Sequence, residues 1–480
     1  MVLIGVALVA MSISGTAIAL PDIGKDLDAA GSPLNWVVAG YNLAFAAMTL
    51  VAGAAADRAG RRRVFIIAAA LFAAGFVATA SAPTIQILDV ARVVSGVGGA
   101  GVMAAGGALL AQGYEGAARN RAFALMGTMA GVGIAVGPTL IGALISVTGW
   151  RGSFGVFAAV AALVTIAATR LAESRNEAAR TDWIGSSLFV VTLTAFMVSL
   201  LEGPEYGWTH PAVLAGFGIG LVAAITFAVS QRRSSAPILA PELVAHRGFM
   251  GWCLATLTTS IGFLGALVFL PTYLQAVSGH TPITTGLVML LLTAPVLVSP
   301  MLAATLVNRG VSARLLILIA LVLVVIGNVG LLTLRPEHTA GLVFVPLLLI
   351  GIGMGTSFGI TDGQAMALVP PQLVGTAAGF LNTLRGAAEA LVIAAFSASL
   401  LAVLTDRLGD AKHAADVSAG RLTETGSAER DIEIDAFTGS WHITQFGVGT
   451  VCLILTITVA VLLFTRTGHA REKEINAQHT

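Results

Sequence analysis

The chain has 480 residues, of which 56% are hydrophobic and only 11% are charged. A soluble protein carries roughly 25% charged residues, so this composition excludes a water-soluble globular fold and indicates a membrane protein. The formal net charge of +1 provides no basic surface for nucleic acid, and Cys253 and Cys452 lie in apolar runs where packing explains them better than a disulfide.

Fourteen apolar runs follow one another along the chain, each near the roughly 20 residues that cross a bilayer as a helix. We predict helices because a backbone exposed to lipid must satisfy its own hydrogen bonds. The predicted spans are residues 2–21, 35–56, 62–82, 86–111, 119–147, 152–170, 183–201, 211–230, 249–276, 284–307, 313–333, 341–366, 373–404 and 441–465. The first run lacks a basic leader and a small-residue cleavage site, so we expect a retained helix.

The basic residues predict the orientation of these spans. With Met1 on the cytoplasmic side, seventeen of the 26 lysines and arginines fall in cytoplasmic loops and the C-terminal tail, seven fall outside, and Arg92 and Arg385 lie within spans. Cytoplasmic loops are enriched in these residues. We therefore expect a multi-pass protein of the bacterial cytoplasmic (inner) membrane with both termini in the cytoplasm. The long segment 406–440 is then external, either a flexible tether or a cap over an exit path.

The first predicted span contains a serine, Ser12, and ends in the sequence Ala-Ile-Ala-Leu-Pro. A short basic loop, reading GAAADRAGRRR from Gly53 to Arg63, then joins the second and third spans. This loop resembles the signature between helices 2 and 3 of the major facilitator superfamily, with Ala55 where leucine is usual. In that superfamily the loop is linked to the inward/outward switch. The resemblance therefore implies a gating role for Asp57, Arg58, Gly60, Arg61 and Arg62. A simple positive-inside anchor is the alternative.

The fourth predicted span contains Arg92, which precedes Ser95 and three glycines. The pattern resembles the family motif R-x-x-Q-G-x-G, with Ser95 in place of glutamine, and the resemblance implies that Arg92 takes part in proton coupling. An arginine at this depth needs a partner or a wet cavity, because exposure to lipid is costly. The alternative is a structural ion pair with Asp89, one turn earlier.

The fifth predicted span carries glycines at four-residue spacing and a proline. Proline bends a helix, and glycines at this spacing let another helix approach closely. The pattern resembles the antiporter signature G-x-x-x-G-P-x-x-G-G, with Ile141 in place of one glycine. Its matching residues are Gly133, Gly137, Pro138 and Gly142. The resemblance implies export rather than uptake, and a simple packing kink is the alternative.

The segment Asp182–Trp208 resembles a stretch peculiar to the fourteen-helix drug:proton antiporter family of this superfamily. Further likeness lies at Pro237–Leu243, Leu270–Gln275 and Pro370–Arg385. The resemblance implies an all-α major facilitator fold of two six-helix bundles with two inserted helices. Its expected parts are the first bundle at 1–171, the inserted pair at 182–231, the second bundle at 249–466 with the extracellular loop 406–440, and a cytoplasmic tail at 467–480.

The first span departs from the family, which has an acid in D-x-x-x-x-N-x-A-L-P where this chain has Ser12. Serine cannot exchange a proton at useful pH, so another acid must serve if protons are coupled. Asp362 has no cation nearby in sequence and is our first candidate, although it could instead lie at a solvated rim. Glu389 follows Arg385 by four residues, so both point to one helix face, and we expect an ion pair between them.

The sequence contains no P-loop, metal-ligand cluster or nucleophile triad. We therefore expect no enzyme, no cofactor, no metal and no direct use of ATP. Together with the resemblance, these features predict a monomeric secondary transporter that exports amphipathic drugs or other small toxic compounds by proton antiport with alternating access. Proton coupling would rest on Asp362, Arg92, Glu389 and Arg385. The alternatives of the same fold are a lipid or metabolite exporter and an uptake carrier.

Overall fold

The computed structural model describes residues 1–113, 116–173, 182–234, 245–336, 339–369, 374–423 and 426–464. Within these ranges every regular element is a helix, as the apolar runs predict. The likeness at Pro237–Leu243, residues 370–373 of the likeness further along the chain, and the tail 467–480 lie outside the described residues.

The first part of the chain forms α1 (Val2–Gly15), a 3-10 turn (Thr16–Ala19), α2 (Leu20–Asp26), α3 (Gly31–Ala59), α4 (Arg61–Ser81), α5 (Ile85–Gly113) and α6 (Gly116–Ala168). Next come α7 (Trp183–Tyr206) and α8 (Pro211–Arg233). The last part forms α9 (Arg247–Ala276), α10 (Pro282–Asn308), α11 (Ala313–Gly330), a 3-10 turn (Leu331–Thr333), α12 (Thr339–Ala367), α13 (Val374–Leu408), α14 (Ala411–Ser418) and α15 (Ala428–Phe464).

Twelve segments of the described residues are long and apolar enough to cross a membrane. One of them, Leu125–Ala168, has 44 residues. At about 1.5 Å per residue it is roughly twice as long as the hydrocarbon core is thick, and it bends at Gly149, where φ is +69°. Helix α3 is not among the twelve, although its 29 residues are long enough to span. If the two sides of the bend are counted separately and α3 is included, the number of segments equals the fourteen predicted spans.

The helices group into two halves. In the first half, α1 packs on α6 and α5 packs on both α3 and α4, while in the second half α9 packs on α15 and α12 packs on both α10 and α11. The halves meet where α6 contacts α10 and where α3 contacts α13. The inserted helices α7 and α8 pack on each other, and α7 also contacts both α3 and α13. One inserted helix therefore lies along the seam between the halves.

Glycines set the close packing within the first half. A side-chain carbon at Gly96 would collide with the backbone of Tyr41 on α3, and one at Gly98 would collide with the backbone of Phe72 on α4. Only glycine leaves room for backbones this close. The glycines that follow Arg92 thus press α5 against both neighbours, which fixes the position of that arginine.

Candidate functional site

Arg92 lies completely buried in the first half. Its Nε donates to the carbonyl oxygen of Val37 (3.0 Å), and its terminal nitrogens donate to the hydroxyl groups of Ser12 (3.3 Å) and Thr16 (3.2 Å). The guanidinium also lies 4.4 Å from the centre of the Tyr41 ring. Groups from α1, α3 and the turn after α1 therefore surround one cation of α5.

All three hydrogen-bond acceptors of Arg92 are uncharged. Among the described residues no carboxylate lies within 4.0 Å of its nitrogens, so the alternative of a direct ion pair with Asp89 is wrong. One acceptor is Ser12, the position at which the family is expected to carry its acid. The departure seen in the sequence and the buried arginine are thus parts of one site.

Asp89 is partly buried one turn before Arg92, and its Oδ1 is buried without a hydrogen-bond partner among the described residues. It lies within electrostatic reach of Arg92 and of Glu202, which is on α7. Glu202 in turn accepts hydrogen bonds from the hydroxyl group of Ser32 (2.9 Å) and the indole of Trp36 (3.0 Å) on α3. Sequence reasoning missed Glu202, because nothing in its segment indicates which helix it faces.

The second half also holds an arginine, with a different partner from the one expected. Arg385 Nη2 donates to Asp362 Oδ1 at 2.8 Å, so Asp362, which has no cation nearby in sequence, has one in the fold. The expected partner, Glu389, interacts electrostatically with Arg385 but forms no ion pair with it within 4.0 Å. Asp362 is 49% exposed in its side chain, which fits a position near a solvated rim. The fold brings α12 to α13, and a distance of 23 residues hid the pair from sequence reasoning.

Glu389 is partly buried one turn after Arg385 and takes part in no ion pair among the described residues. It lies within electrostatic reach of Arg385 and of Tyr41. Tyr41 belongs to α3 and covers Arg92, whereas Glu389 belongs to α13. Tyr41 therefore interacts both with the arginine of the first half and with an acid of the second. The motifs gave no signal for this tyrosine.

The glycines of the predicted antiporter signature lie at helix contacts. Side-chain carbons at Gly133 and Gly137 would collide with α1, and one at Gly142 would collide with the backbone of Pro282 on α10. Pro138 lies inside α6. The signature thus presses α6 against both the helix that carries Ser12 and the second half of the molecule.

The basic loop between α3 and α4 turns at Gly60, where φ is +111°. The side chain of Asp57 lies outside the described residues, Arg58 is exposed, and Arg61 begins α4. Glu173, at the end of α6, accepts from the backbone nitrogens of Arg62 (3.1 Å) and Arg63 (3.2 Å). Arg62 Nη2 also donates to the carbonyl oxygen of Thr169 (2.7 Å). These contacts of the loop stay within the first half.

The halves touch each other mainly toward the opposite end of the helices, which we call the cap end. Gln275 donates to the carbonyl oxygen of Ile18 (3.1 Å), and Thr139 donates to that of Gly286 (2.9 Å). Closer to the middle of the bundle, Thr293 donates to the carbonyl oxygen of Ala135 (2.9 Å). In the described residues these hydrogen bonds join the two halves from the middle of the helices to the cap end.

The cap end is covered by residues 410–423 and 426–433, which we call the cap. Arg421 donates to the carbonyl oxygen of Gly24 (3.3 Å) and to the carboxylate of Asp28 (2.8 Å) in the first half. Arg430 donates to the carbonyl oxygen of Ala276 (3.2 Å) at the end of α9. The interpretation of this segment as a flexible tether is therefore wrong for its described residues, which bridge both halves.

Inside the cap, one buried acid holds the chain together. Glu433 is 1% exposed and accepts hydrogen bonds from the backbone nitrogen of Thr423 (2.8 Å) and from the ring of His413 (2.8 Å). A cavity of about 550 Å³ lies beside them, lined by both acidic and basic side chains. The cap is thus a folded unit.

One family model, described as the Major Facilitator Superfamily, matches residues 2–393. The chain is 33% identical over 395 residues to the multidrug resistance protein Stp of Mycobacterium tuberculosis, covering 82% of this chain and 73% of that protein. It is 33% identical over 385 residues to the puromycin resistance protein pur8 of Streptomyces alboniger, covering 78% and 76%. A bacterial homologue of the human lysosomal transporter Spinster, in an inward-facing and occupied conformation, matches with a TM-score of 0.66 at 16% identity, covering 96% of this chain and 95% of that one. The chain belongs to the major facilitator superfamily of membrane transporters.

Proposed function

We propose that this transporter exports amphipathic drugs or other small toxic compounds in exchange for protons, by alternating access. The names of its relatives, which describe multidrug and puromycin resistance, support the class of cargo. The observation that carries the proposal is a set of interacting polar and charged groups contributed by both halves. Arg92 lies 4.4 Å from the centre of the Tyr41 ring, Tyr41 interacts electrostatically with Glu389 of the other half, Glu389 does so with Arg385, and Arg385 pairs with Asp362 at 2.8 Å.

We assign the basic loop at Arg58–Arg63 to the cytoplasm, because Lys and Arg are enriched on that side. The cap end is then external. The hydrogen bonds that join the halves lie from the middle of the bundle to the external end, so we infer an inward-facing state. The glycine contacts of Gly133, Gly137 and Gly142 support the idea that α6 transmits the movement of one half to the other.

In the second half we place Glu389 before Asp362 as the proton-exchanging acid. Arg385 holds Asp362 in an ion pair at 2.8 Å, which gives that carboxylate a structural task. Glu389 takes part in no ion pair among the described residues and lies toward the first half, near Tyr41. A proton moving inward across a potential of 100 mV releases about 2.3 kcal/mol. Such a gradient can drive cargo outward without ATP.

The test uses everted membrane vesicles that contain the transporter, energised by an acidic interior, with ethidium and a panel of cationic, neutral and anionic compounds. Because the membrane of these vesicles is inverted, export from the cell corresponds to accumulation inside the vesicles. We expect accumulation that requires the protein and collapses when nigericin removes the pH gradient. Glu389→Gln should abolish it, whereas Asp362→Asn should reduce it only in part.

Two results would contradict the proposal. Accumulation that is insensitive to nigericin would contradict proton antiport as the mechanism. Cargo that moves only down its own gradient would favour an uptake carrier or facilitator. Vesicles carrying Glu389→Gln that accumulate cargo normally would remove this acid from the mechanism.

A further inference from the structure

The proposed proton antiport leaves open which acid serves the first half, where the family acid is replaced by Ser12. Arg92 is completely buried, and its three hydrogen bonds go to uncharged acceptors. A charged group inside a membrane protein is costly unless a partner or water balances it. A structure that retains such a cation without a contacting carboxylate needs a counter-charge nearby.

Asp89, on the same helix as Arg92, is an acid that acts electrostatically on it. One of its carboxylate oxygens is buried and has no hydrogen-bond partner among the described residues. Buried polar atoms in native proteins are nearly always hydrogen-bonded, so an exception calls for an explanation. A proton on that oxygen, or a change in the position of Arg92, would supply one.

We propose that Asp89 is the proton-binding acid of the first half, working with Arg92 in place of the acid that the family carries at the position of Ser12. The proposal rests on proton antiport as the proposed function. It also gives the inserted helix α7 a task, because Glu202 of that helix acts electrostatically on Asp89.

The position of Asp89 suits loading from the external side. It lies five residues into α5, which begins at the cap end, and Glu202 lies in the last turn of α7 at the same end. Ser32 and Trp36, which hold Glu202, lie at the start of α3. The site is therefore near the external rim, whereas Arg92 and Ser12 lie one turn deeper.

The charged groups around Asp89 come from few elements. Arg92 faces it from its own helix and Glu202 faces it from α7, while Tyr41 of α3 acts on Arg92. Arg151, which lies on α6, forms its ion pair with Asp26 and not with Asp89. A proton on Asp89 therefore changes its electrostatic interaction with both Arg92 and Glu202.

The proton step is simple to balance. In the outward-facing state, a hydronium ion at the cap end transfers one proton to a carboxylate oxygen of Asp89. One O–H bond of the hydronium ion breaks, one forms on the carboxylate, which loses its negative charge, and a water molecule remains. After the halves have rocked, the new O–H bond breaks and the proton passes to a water molecule reached from the cytoplasmic side, which becomes hydronium. The restored carboxylate then faces Arg92 again.

The experiment compares two activities of purified protein in proteoliposomes, with a compound that the vesicle assay identifies as cargo. The first is uphill accumulation driven by a pH gradient, and the second is cargo exchange at equal pH, which needs no net proton movement. A gradient of one pH unit raises the accumulation ratio about tenfold for one coupled proton. With Asp89→Asn we expect that ratio to fall to about one while exchange continues.

The control is Asp26→Asn, which removes another acid at the cap end that is held by Arg151. It should leave the accumulation ratio unchanged. A second variant, Asp89→Asn with Ser12→Asp, places an acid at the family position, in contact with Arg92. We expect this double variant to regain accumulation and to shift its pH profile.

The outcomes separate the inference from the function beneath it. If the wild type shows no gradient-driven accumulation, the proposed function fails and this inference fails with it. Asp89→Asn with normal accumulation overturns the inference alone. Loss of exchange together with accumulation also overturns it, because the residue would then be structural. The inference is supported if Asp89→Asn loses accumulation, retains exchange and regains accumulation when Ser12→Asp is added. If adding Ser12→Asp does not restore accumulation, the role of Arg92 as the partner is overturned.

Discussion

Each half of this transporter holds an arginine inside one of its long helices, but the two arginines are balanced differently. Arg385 has a carboxylate partner, Asp362, at 2.8 Å. Arg92 is more deeply buried and is held by a carbonyl group, two hydroxyl groups and the face of Tyr41. A contacting ion pair fixes a charge in one place. The comparison suggests that the second-half pair is mainly structural and that the first-half site responds to proton binding.

The largest effect on transport is expected when the cation of the first half, Arg92, is removed. Arg92→Gln should lower gradient-driven transport by about a hundredfold or more, since it removes about 3 kcal/mol of charge-assisted hydrogen bonding. Arg92→Lys should lie in between, because lysine cannot reproduce the planar fork of donors. Transport by proteoliposomes measures both. Normal transport by Arg92→Gln would show that transport does not require Arg92.

The next change disturbs the packing of the helix that carries Ser12 and alters no charged residue. Gly137→Val on α6 should collide with α1 at Ser14 and Met11, lowering the free energy of unfolding by about 1–3 kcal/mol. Gly127→Val is the matched control, because among the described residues no atom outside its own helix turn lies within 4 Å of the added carbon. Thermal denaturation in detergent measures both. Equal melting temperatures would mean that α1 and α6 are not tightly packed at the signature.

Neutralising the partner of the second arginine should have a smaller effect. Asp362→Asn breaks a half-exposed ion pair, which is worth about 1 kcal/mol or less. Transport should fall less than about tenfold, which corresponds to less than about 1.4 kcal/mol. The same vesicle assay, run beside Glu389→Gln, checks the order. Complete loss of transport in Asp362→Asn with normal exchange would reverse our ranking of the two acids.

The smallest expected effect lies at the cap. Arg421→Ala removes the contact with Asp28, an exposed pair worth about 0–1 kcal/mol. The population of outward-open molecules should therefore rise by up to about fivefold. Gln275→Cys, at a side chain that contacts Ile18 in the closed state, would report this through faster labelling by an impermeant maleimide. Lys412→Ala, at an exposed position of the cap, is the control, and unchanged labelling in Arg421→Ala would remove the cap from gating.

Much of the fold could be predicted because apolar length and glycine spacing are local properties of the sequence. The runs gave the helices, and the spacing of Gly133 and Gly137 gave the close contact of α6, although not its partner, α1. The site was harder because it depends on which helices become neighbours. An i,i+4 spacing favoured Arg385 with Glu389, yet the fold presented Asp362 from another helix.

Two further misses have the same origin. Asp89 was considered as an ion-pair partner of Arg92, but the structure shows no contact pair between them and brings Asp89 within electrostatic reach of both Arg92 and Glu202 of an inserted helix. The segment 406–440 has the polar composition of a tether, and it folds because Glu433 and the arginines 421 and 430 find partners in other elements. Such partners are set by tertiary structure and leave no pattern along the chain.

The most direct test of the account is the movement of protons themselves. Proteoliposomes with a trapped pH-sensitive dye and no imposed pH gradient would receive a pulse of cargo on one side. We predict that protons move in the direction opposite to the cargo, and that Asp89→Asn abolishes this movement while cargo exchange persists. Cargo flux with no change in internal pH in the wild type would contradict proton antiport.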